Sequence, residues 1–191
     1  MPIFGGINKS KKNFTEGLTT QPLCAIIKIQ KEKGTDTMNP KIICFDMDGT
    51  IADLYNVPNW LEMLKDENPA PYLEAEPMWD MVRMAEVLEK IQQAGIEIRI
   101  ITWLSMNSTE EYKEAVREAK RAWLEKWGFV FDHFHGVRYG ATKADSIRKY
   151  LADNETAWLI DDNEKVRAGW HMGKVIDPTT CDLLEILESL I

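Results

Sequence analysis

Two carboxylates, Asp46 and Asp48, stand two residues apart at the end of a short apolar run, Lys41-Ile42-Ile43-Cys44-Phe45-Asp46-Met47-Asp48-Gly49-Thr50. Like charges held that close are costly unless a cation lies between them or one carries a proton. Either arrangement is chemistry, because one carboxylate can attack or hold a metal while its neighbour moves protons. Side chains alternate along a strand, so Asp46 and Asp48 are expected to share a face and Met47 to turn to the other. The plain alternative is a solvated turn at a strand end.

Three later segments bear on that choice. Ile100-Ile101-Thr102-Trp103 puts a hydroxyl at the carboxyl end of a second apolar run, the position where open α/β sheets bind ligands. Thr142-Lys143-Ala144-Asp145 puts a lysine in the first turn of a helix, where a cation opposes the helix dipole and is better placed to meet an anion. Trp158-Leu159-Ile160-Asp161-Asp162-Asn163 ends another run in paired carboxylates. Singly, Thr102 could finish a strand, Lys143 could lie on the surface, and Asp161-Asp162 could cap a helix at 163–170. Brought to one crevice, Asp46, Asp48, Asp161 and Asp162 require a hard cation, and oxygen ligands favour magnesium.

The elements that must position these groups alternate in type. Strands are expected at 42–46, 96–102, 129–133, 157–161 and 174–176, with helices between them. Segment 79–94 is amphipathic, with Val82, Ala85, Leu88 and Ile91 on one stripe, and Gly95 ends it. Segment 108–127 opens with Ser108 and Glu111 in capping-box spacing and stops at Gly128. Thr142 is the expected cap of a helix at 143–151, and a last helix is expected at 181–190. Such alternation predicts an α/β fold, a Rossmann-like three-layer sandwich with a mainly parallel sheet. Residues 52–77, with Pro58, Pro69, Pro71 and Pro77 among Tyr55, Trp60 and Tyr72, exceed an ordinary strand-to-helix connection and are expected to form a small lid inserted after the first strand.

Composition sets the outer limits. The 191 residues suit one domain with a leader at 1–37, and the domain itself is expected to occupy 38–191, starting at Met38. The leader reads as flexible, apart from one short strand expected at 25–29. Its six lysines against three acids give it a charge of +3, so a net −8 leaves −11 on the remainder. An acidic domain makes a general nucleic-acid-binding surface unlikely. Cys24, Cys44 and Cys181 are an odd set without metal-site spacing, which suits a reducing, cytoplasmic setting, and Cys44 is expected in the core. No apolar stretch is long enough for a membrane span.

The order of these motifs resembles the haloacid dehalogenase (HAD) superfamily of phosphohydrolases: an Asp-x-Asp-x-Thr loop at 46–50, Thr102, Lys143 and the acidic pair Asp161-Asp162. The resemblance covers residues 41–178. It implies that Asp46 is the nucleophile taking the phosphoryl group as an aspartyl-phosphate. It also implies that Asp48 is the general acid and base, with its backbone carbonyl as a magnesium ligand. Thr102 and Lys143 would hold the phosphoryl oxygens, Asp162 would ligate the metal beside Asp46, and Asp161 would support it. A small phosphorylated substrate follows from the same resemblance. The lid and the Leu-Ile-Asp-Asp wording look most like 5′(3′)-deoxyribonucleotidases, which points to a nucleotide and leaves sugar phosphates and a phosphorylated protein open as substrates.

Trp60, Trp79 and Trp103, in or beside the lid, are candidates for stacking on a planar substrate, with core packing as the alternative. Trp123 and Trp127, four apart on a helix, are expected in the core or lining a groove. His133, His135 and His171 lack convincing ligand spacing. The alternatives to a small-molecule phosphatase are a nucleic-acid end phosphatase using the basic leader, and a non-catalytic binding protein retaining the fold. Oligomeric state is not legible at this level.

Overall fold

The structure is a computed structural model that describes residues 39–191. The leader, its strand at 25–29, Cys24 and the domain start at Met38 lie outside the described residues. Five strands form one parallel sheet in the order β3-β2-β1-β4-β5: β1 Ile42–Phe45, β2 Glu97–Trp103, β3 His133–Val137, β4 Ala157–Ile160 and β5 Val175–Ile176. Strand β1 lies at the centre, and all four of its residues are buried. That is why its sequence is a continuous apolar run rather than an alternating one.

The alternation of side chains along β1 divides the core into two layers. Ile43 and Phe45 pack with Met84, Leu88 and Ile91 of α3 (Met81–Gln93), with Trp123 and Leu124 of α4 (Glu110–Lys126), and with Leu183 and Leu187 of α7 (Leu183–Glu188). Ile42 and Cys44 pack on the other side with Ala144 and Ile147 of α5 (Lys143–Arg148) and with Trp170, just past α6 (Glu164–Ala168). Helices therefore cover both faces of a parallel sheet, which makes the expected α/β three-layer sandwich. Each apolar side chain that α3 buries contributes roughly 1.5–3 kcal/mol.

The third strand lies four residues later than expected. Gly128, at φ +66°, ends α4, and Phe129 then packs edge-on against Phe45 in the core. Segment 129–131 thus packs on the core instead of entering the ladder. Pairing begins only where Asp132 exchanges bonds with Ile98, its N–H donating to Ile98 O and its Oδ2 accepting from Ile98 N, both at 2.8 Å. The cap of α4 also differs. Thr109, not Ser108, accepts from the helix, through Tyr112 N, while the Ser108 hydroxyl pairs with Ser105 at 2.5 Å.

Residues 52–77 form the lid as two short helices, α1 (Trp60–Lys65) and α2 (Ala70–Glu74), after a 3-10 turn at Leu54–Asn56. The lid is tied to α4 at both ends. Glu67 accepts from Thr109 N and Oγ1 at 2.9 and 2.8 Å, and Trp123 Nε1 donates to Ala75 O at 2.6 Å. No helix among the described residues is long and apolar enough to cross a membrane.

Candidate active site

Strand β1 ends at Phe45, so Asp46 and Asp48 belong to the loop beyond it rather than to the strand itself. Asp46 N still donates to Ile160 O at 2.9 Å, which holds the start of the loop against β4. Met47 is buried in the core, as strand alternation anticipated. The chain then turns back, with Gly49 N donating to Ala52 O at 2.9 Å and Gly49 at φ +78°. Only glycine suits this position. An added Cβ would stand 2.6 Å from Tyr55 Cε2 and 2.7 Å from Asp162 Oδ2, besides the cost of a left-handed backbone. Thr50, fully buried, completes the turn: its hydroxyl accepts from Asp162 N at 3.1 Å and donates to Asp162 Oδ1 at 3.3 Å.

The two loop carboxylates meet different lysines. Lys143, the first residue of α5 and buried, lies 2.7 Å from Asp46 Oδ1 and 2.7 Å from Asp161 Oδ2. Burial pulls the Lys143 ammonium down, but Asp46 and Asp161 outweigh it and hold the pKa above its ordinary value. Asp48 pairs instead with Lys120 of α4, whose ammonium donates to Asp48 Oδ2 at 2.6 Å, Thr102 Oγ1 at 2.7 Å and Trp103 O at 3.1 Å. Burial raises the Asp48 pKa, the attraction of Lys120 opposes the rise and the nearby charge of Asp46 adds to it. A raised carboxyl is what a proton donor near neutral pH needs.

The acidic pair after β4 stands beside this loop. Carboxylate oxygens of Asp46, Asp161 and Asp162 lie within 4.8 Å of one another. Burial and the charge of Asp46 raise the Asp161 pKa to about 6 and shift Asp162 in the same direction. Three carboxylates here face one ammonium, that of Lys143, so two negative charges remain uncompensated. That deficit and an all-oxygen donor set fit a divalent hard cation such as magnesium. The Asp48 side chain stands outside this group of three.

These groups line a cavity of about 460 Å³. The same cavity is lined by Leu54, Tyr55, Trp60 and Tyr72 of the lid and by Trp103, Leu104 and Tyr139, with the Lys143 ammonium 5.5 Å from the Trp103 ring. Trp60 packs edge-on against Tyr55 at 5.2 Å, and Trp103 lies 5.0 Å from Tyr139 with its indole N–H on Ala141 O. Trp60 and Trp103 line the cavity, and Trp60 also packs on the core. Trp79 does not line it; its Nε1 donates to Thr50 O at 2.9 Å and its ring packs on the core.

Of the residues expected from the motifs, Asp46, Asp48, Trp103, Lys143, Asp161 and Asp162 all line this cavity. Thr102 does not. It is fully buried, and its hydroxyl is taken by Lys120 beneath the cavity floor, while Ser105 reaches the wall from the same β2 exit. Sequence reasoning missed Lys120. The signal was there, because Tyr112, Val116, Lys120 and Leu124 recur every four residues on the buried stripe of α4. A lysine at a core position of an amphipathic helix demands an internal partner.

No family model matches the chain, and no curated protein sequence matches it. Several solved structures are loosely similar. The Pnkp1/Rnl/Hen1 RNA repair complex gives a TM-score of 0.49 at 18% identity over 75% of this chain, which spans only 43% of that one. D,D-heptose 1,7-bisphosphate phosphatase from Burkholderia thailandensis gives 0.40 at 14% identity, covering 77% of this chain and 98% of that one. A protein described as a HAD-like phosphatase from Mesorhizobium loti gives 0.42 at 16% identity, covering 82% and 91%. At such scores the function of this chain has to be read from its own residues. Fold and site define an α/β protein with an acidic, lysine-paired pocket beyond the carboxyl end of its central parallel strand.

Proposed function

We propose that the protein is a magnesium-dependent phosphomonoesterase working through an aspartyl-phosphate, with a nucleotide as the preferred substrate. One observation carries this reading: Asp46 and Asp48 share a cavity, yet each is held by its own lysine. Two identical side chains are thereby given separate tasks. Asp46, with one oxygen on Lys143, attacks phosphorus with the other as the bond to the leaving oxygen breaks. Asp48 gives its proton to that leaving oxygen. In the second step Asp48 takes a proton from water, which attacks phosphorus, releases inorganic phosphate and restores the Asp46 carboxylate.

Lys143 balances charge on the phosphoryl oxygens in both steps. Magnesium, held by Asp46 and Asp162 with Asp161 in support, would screen the repulsion between an anionic nucleophile and an anionic substrate. The aromatic side chains among the cavity's lining, Trp60 and Trp103 above all, support a nucleotide, because a base stacks on such rings. Its volume is that of a small-molecule site. Lys65 and Lys143 are the cations on its wall among the described residues, which favours a small substrate over a nucleic-acid strand. The odd cysteine count and the buried thiol of Cys44 accord with a reducing, cytoplasmic setting.

Phosphate release with magnesium from nucleoside monophosphates, sugar phosphates and a 3′-phosphorylated oligonucleotide tests the reading. Turnover of the first group, abolished in a folded Asp46→Asn variant, is the expected result. Absence of turnover on every substrate would refute the enzyme reading. Preference for the oligonucleotide would replace the nucleotidase with an end-processing phosphatase.

A further inference from the structure

Lys120 is a charged group in a place where charge is expensive. Its residue is fully buried, and moving an ammonium that deep costs several kcal/mol unless its hydrogens are met. They are met completely, because the ammonium donates to Asp48 Oδ2, Thr102 Oγ1 and Trp103 O, one acceptor for each hydrogen. The ring of Tyr72 in lid helix α2 lies 4.8 Å from the nitrogen. Strand exit, lid and catalytic loop are thus joined at one point.

A purely structural tie does not need this arrangement. Apolar side chains of similar volume serve a buried position as well or better. What an ammonium adds is direction, since it grips one oxygen of Asp48 from below. Among the described residues the other oxygen of Asp48 has no hydrogen-bonding partner, and the side chain keeps 19% of its surface open at the cavity. The same grip holds Asp48 apart from the neighbouring carboxylates of Asp46, Asp161 and Asp162.

We infer that Lys120 is a positioning residue, which fixes the Asp48 carboxylate from beneath so that its free oxygen faces the leaving group and not the metal-binding carboxylates. The inference rests on the phosphatase reading above. Leaving groups differ in how much they need a positioned acid: an alkoxide requires its proton in the transition state, whereas p-nitrophenolate departs without one.

The test compares kcat and KM of the wild-type chain, Lys120→Met and Lys120→Arg, with magnesium, on p-nitrophenyl phosphate and on a nucleoside monophosphate. General acid catalysis is worth about 10²–10⁴-fold. Lys120→Met should therefore lower kcat on the alkyl ester by about 10²-fold, and on the aryl ester by a much smaller factor, with KM little changed. Lys120→Arg, which retains charge but not the three-point grip, should show the same dependence in milder form, and it decides the matter if the methionine variant fails to fold. An equal loss on both esters, or no loss on the alkyl ester, would overturn the inference while leaving the phosphatase reading intact. Wild-type turnover of the aryl ester alone would also overturn it, because no acid would then be in position. A wild-type chain inert towards both esters would overturn the nucleotidase reading, and this inference with it.

Discussion

Gly49 and Asp162 approach so closely that a Cβ on the glycine would lie 2.7 Å from Asp162 Oδ2. The turn after the Asp46–Asp48 loop and the acidic pair after β4 are therefore fitted to each other. Thr50 adds two hydrogen bonds to Asp162 across 112 residues of sequence.

Gly49→Ala should accordingly damage activity more than stability. A left-handed alanine costs about 1–2 kcal/mol, but the added methyl also pushes Tyr55 and Asp162 from their places. A loss of kcat beyond about tenfold, which corresponds to about 1.4 kcal/mol in the barrier, is expected alongside a modest fall in Tm. Steady-state kinetics and thermal unfolding on the same preparation check it. A drop in Tm with full activity would show that the loop does not need this packing.

Magnesium should stabilise the fold as well as support turnover. A ligand present at a hundred times its Kd adds about 2.7 kcal/mol to unfolding. In the native chain, magnesium should raise Tm and chelator should abolish phosphate release. In Asp162→Asn the rise in Tm should shrink and the magnesium concentration for half-maximal activity should increase. Calorimetry with and without metal separates the two effects.

Trp60 should matter to the substrate rather than to the chemical step. Stacking of a base on an aromatic side chain is worth about 1–3 kcal/mol. Trp60→Ala should then raise KM for nucleoside monophosphates by about tenfold or more, and leave a small sugar phosphate much less affected. An equal change in KM for both would show that Trp60 only braces the lid against Tyr55.

Away from the cavity, His135 makes stability depend on pH. Burial, the Arg99 guanidinium 3.3 Å from its Nε2, and His133 and Lys149 depress its pKa to about 4. The folded value lies below the unfolded one, so the unfolded chain binds the proton first as pH falls. The contribution is complete above about pH 6.5 and is progressively lost as pH falls through about 4. Urea unfolding of the native chain and His135→Gln at pH 7 and pH 5 should show a smaller acid loss in the variant. Identical slopes would place the proton uptake elsewhere.

Much of the fold was legible because it rests on local periodicity. The apolar run of β1 and the glycines closing α3 and α4 specify elements whichever way the chain folds, but the stripe expected on α3 was only half right: Leu88 and Ile91 are buried, beside Met84 and Val87, while Val82 is 74% exposed. The third strand was misplaced because Phe129 and Phe131 look alike in a strand and in a core-filling connection. Only the ladder partner, Ile98 meeting Asp132, distinguishes the two. The cap of α4 slipped by one residue for a similar reason, since Ser108 and Thr109 can both cap and the Ser105 hydroxyl engages the first.

By itself the sequence determined the α/β alternation and a mainly parallel sheet, and it set Asp46, Asp48, Asp161 and Asp162 just past two strands with Lys143 opening a helix. Strand direction follows from the helical crossovers between successive strands, whereas the order β3-β2-β1-β4-β5 is a property of the fold. Tertiary structure alone decided which lysine each carboxylate meets, that Thr102 faces inward, and that lid aromatics line the cavity. These depend on side chains 18 to 112 positions apart converging where they are buried or partly buried, so that each charge must find its partner. Lys120 is the clearest case: a lysine among twenty-three basic residues in the sequence, and in the fold the one beneath Asp48.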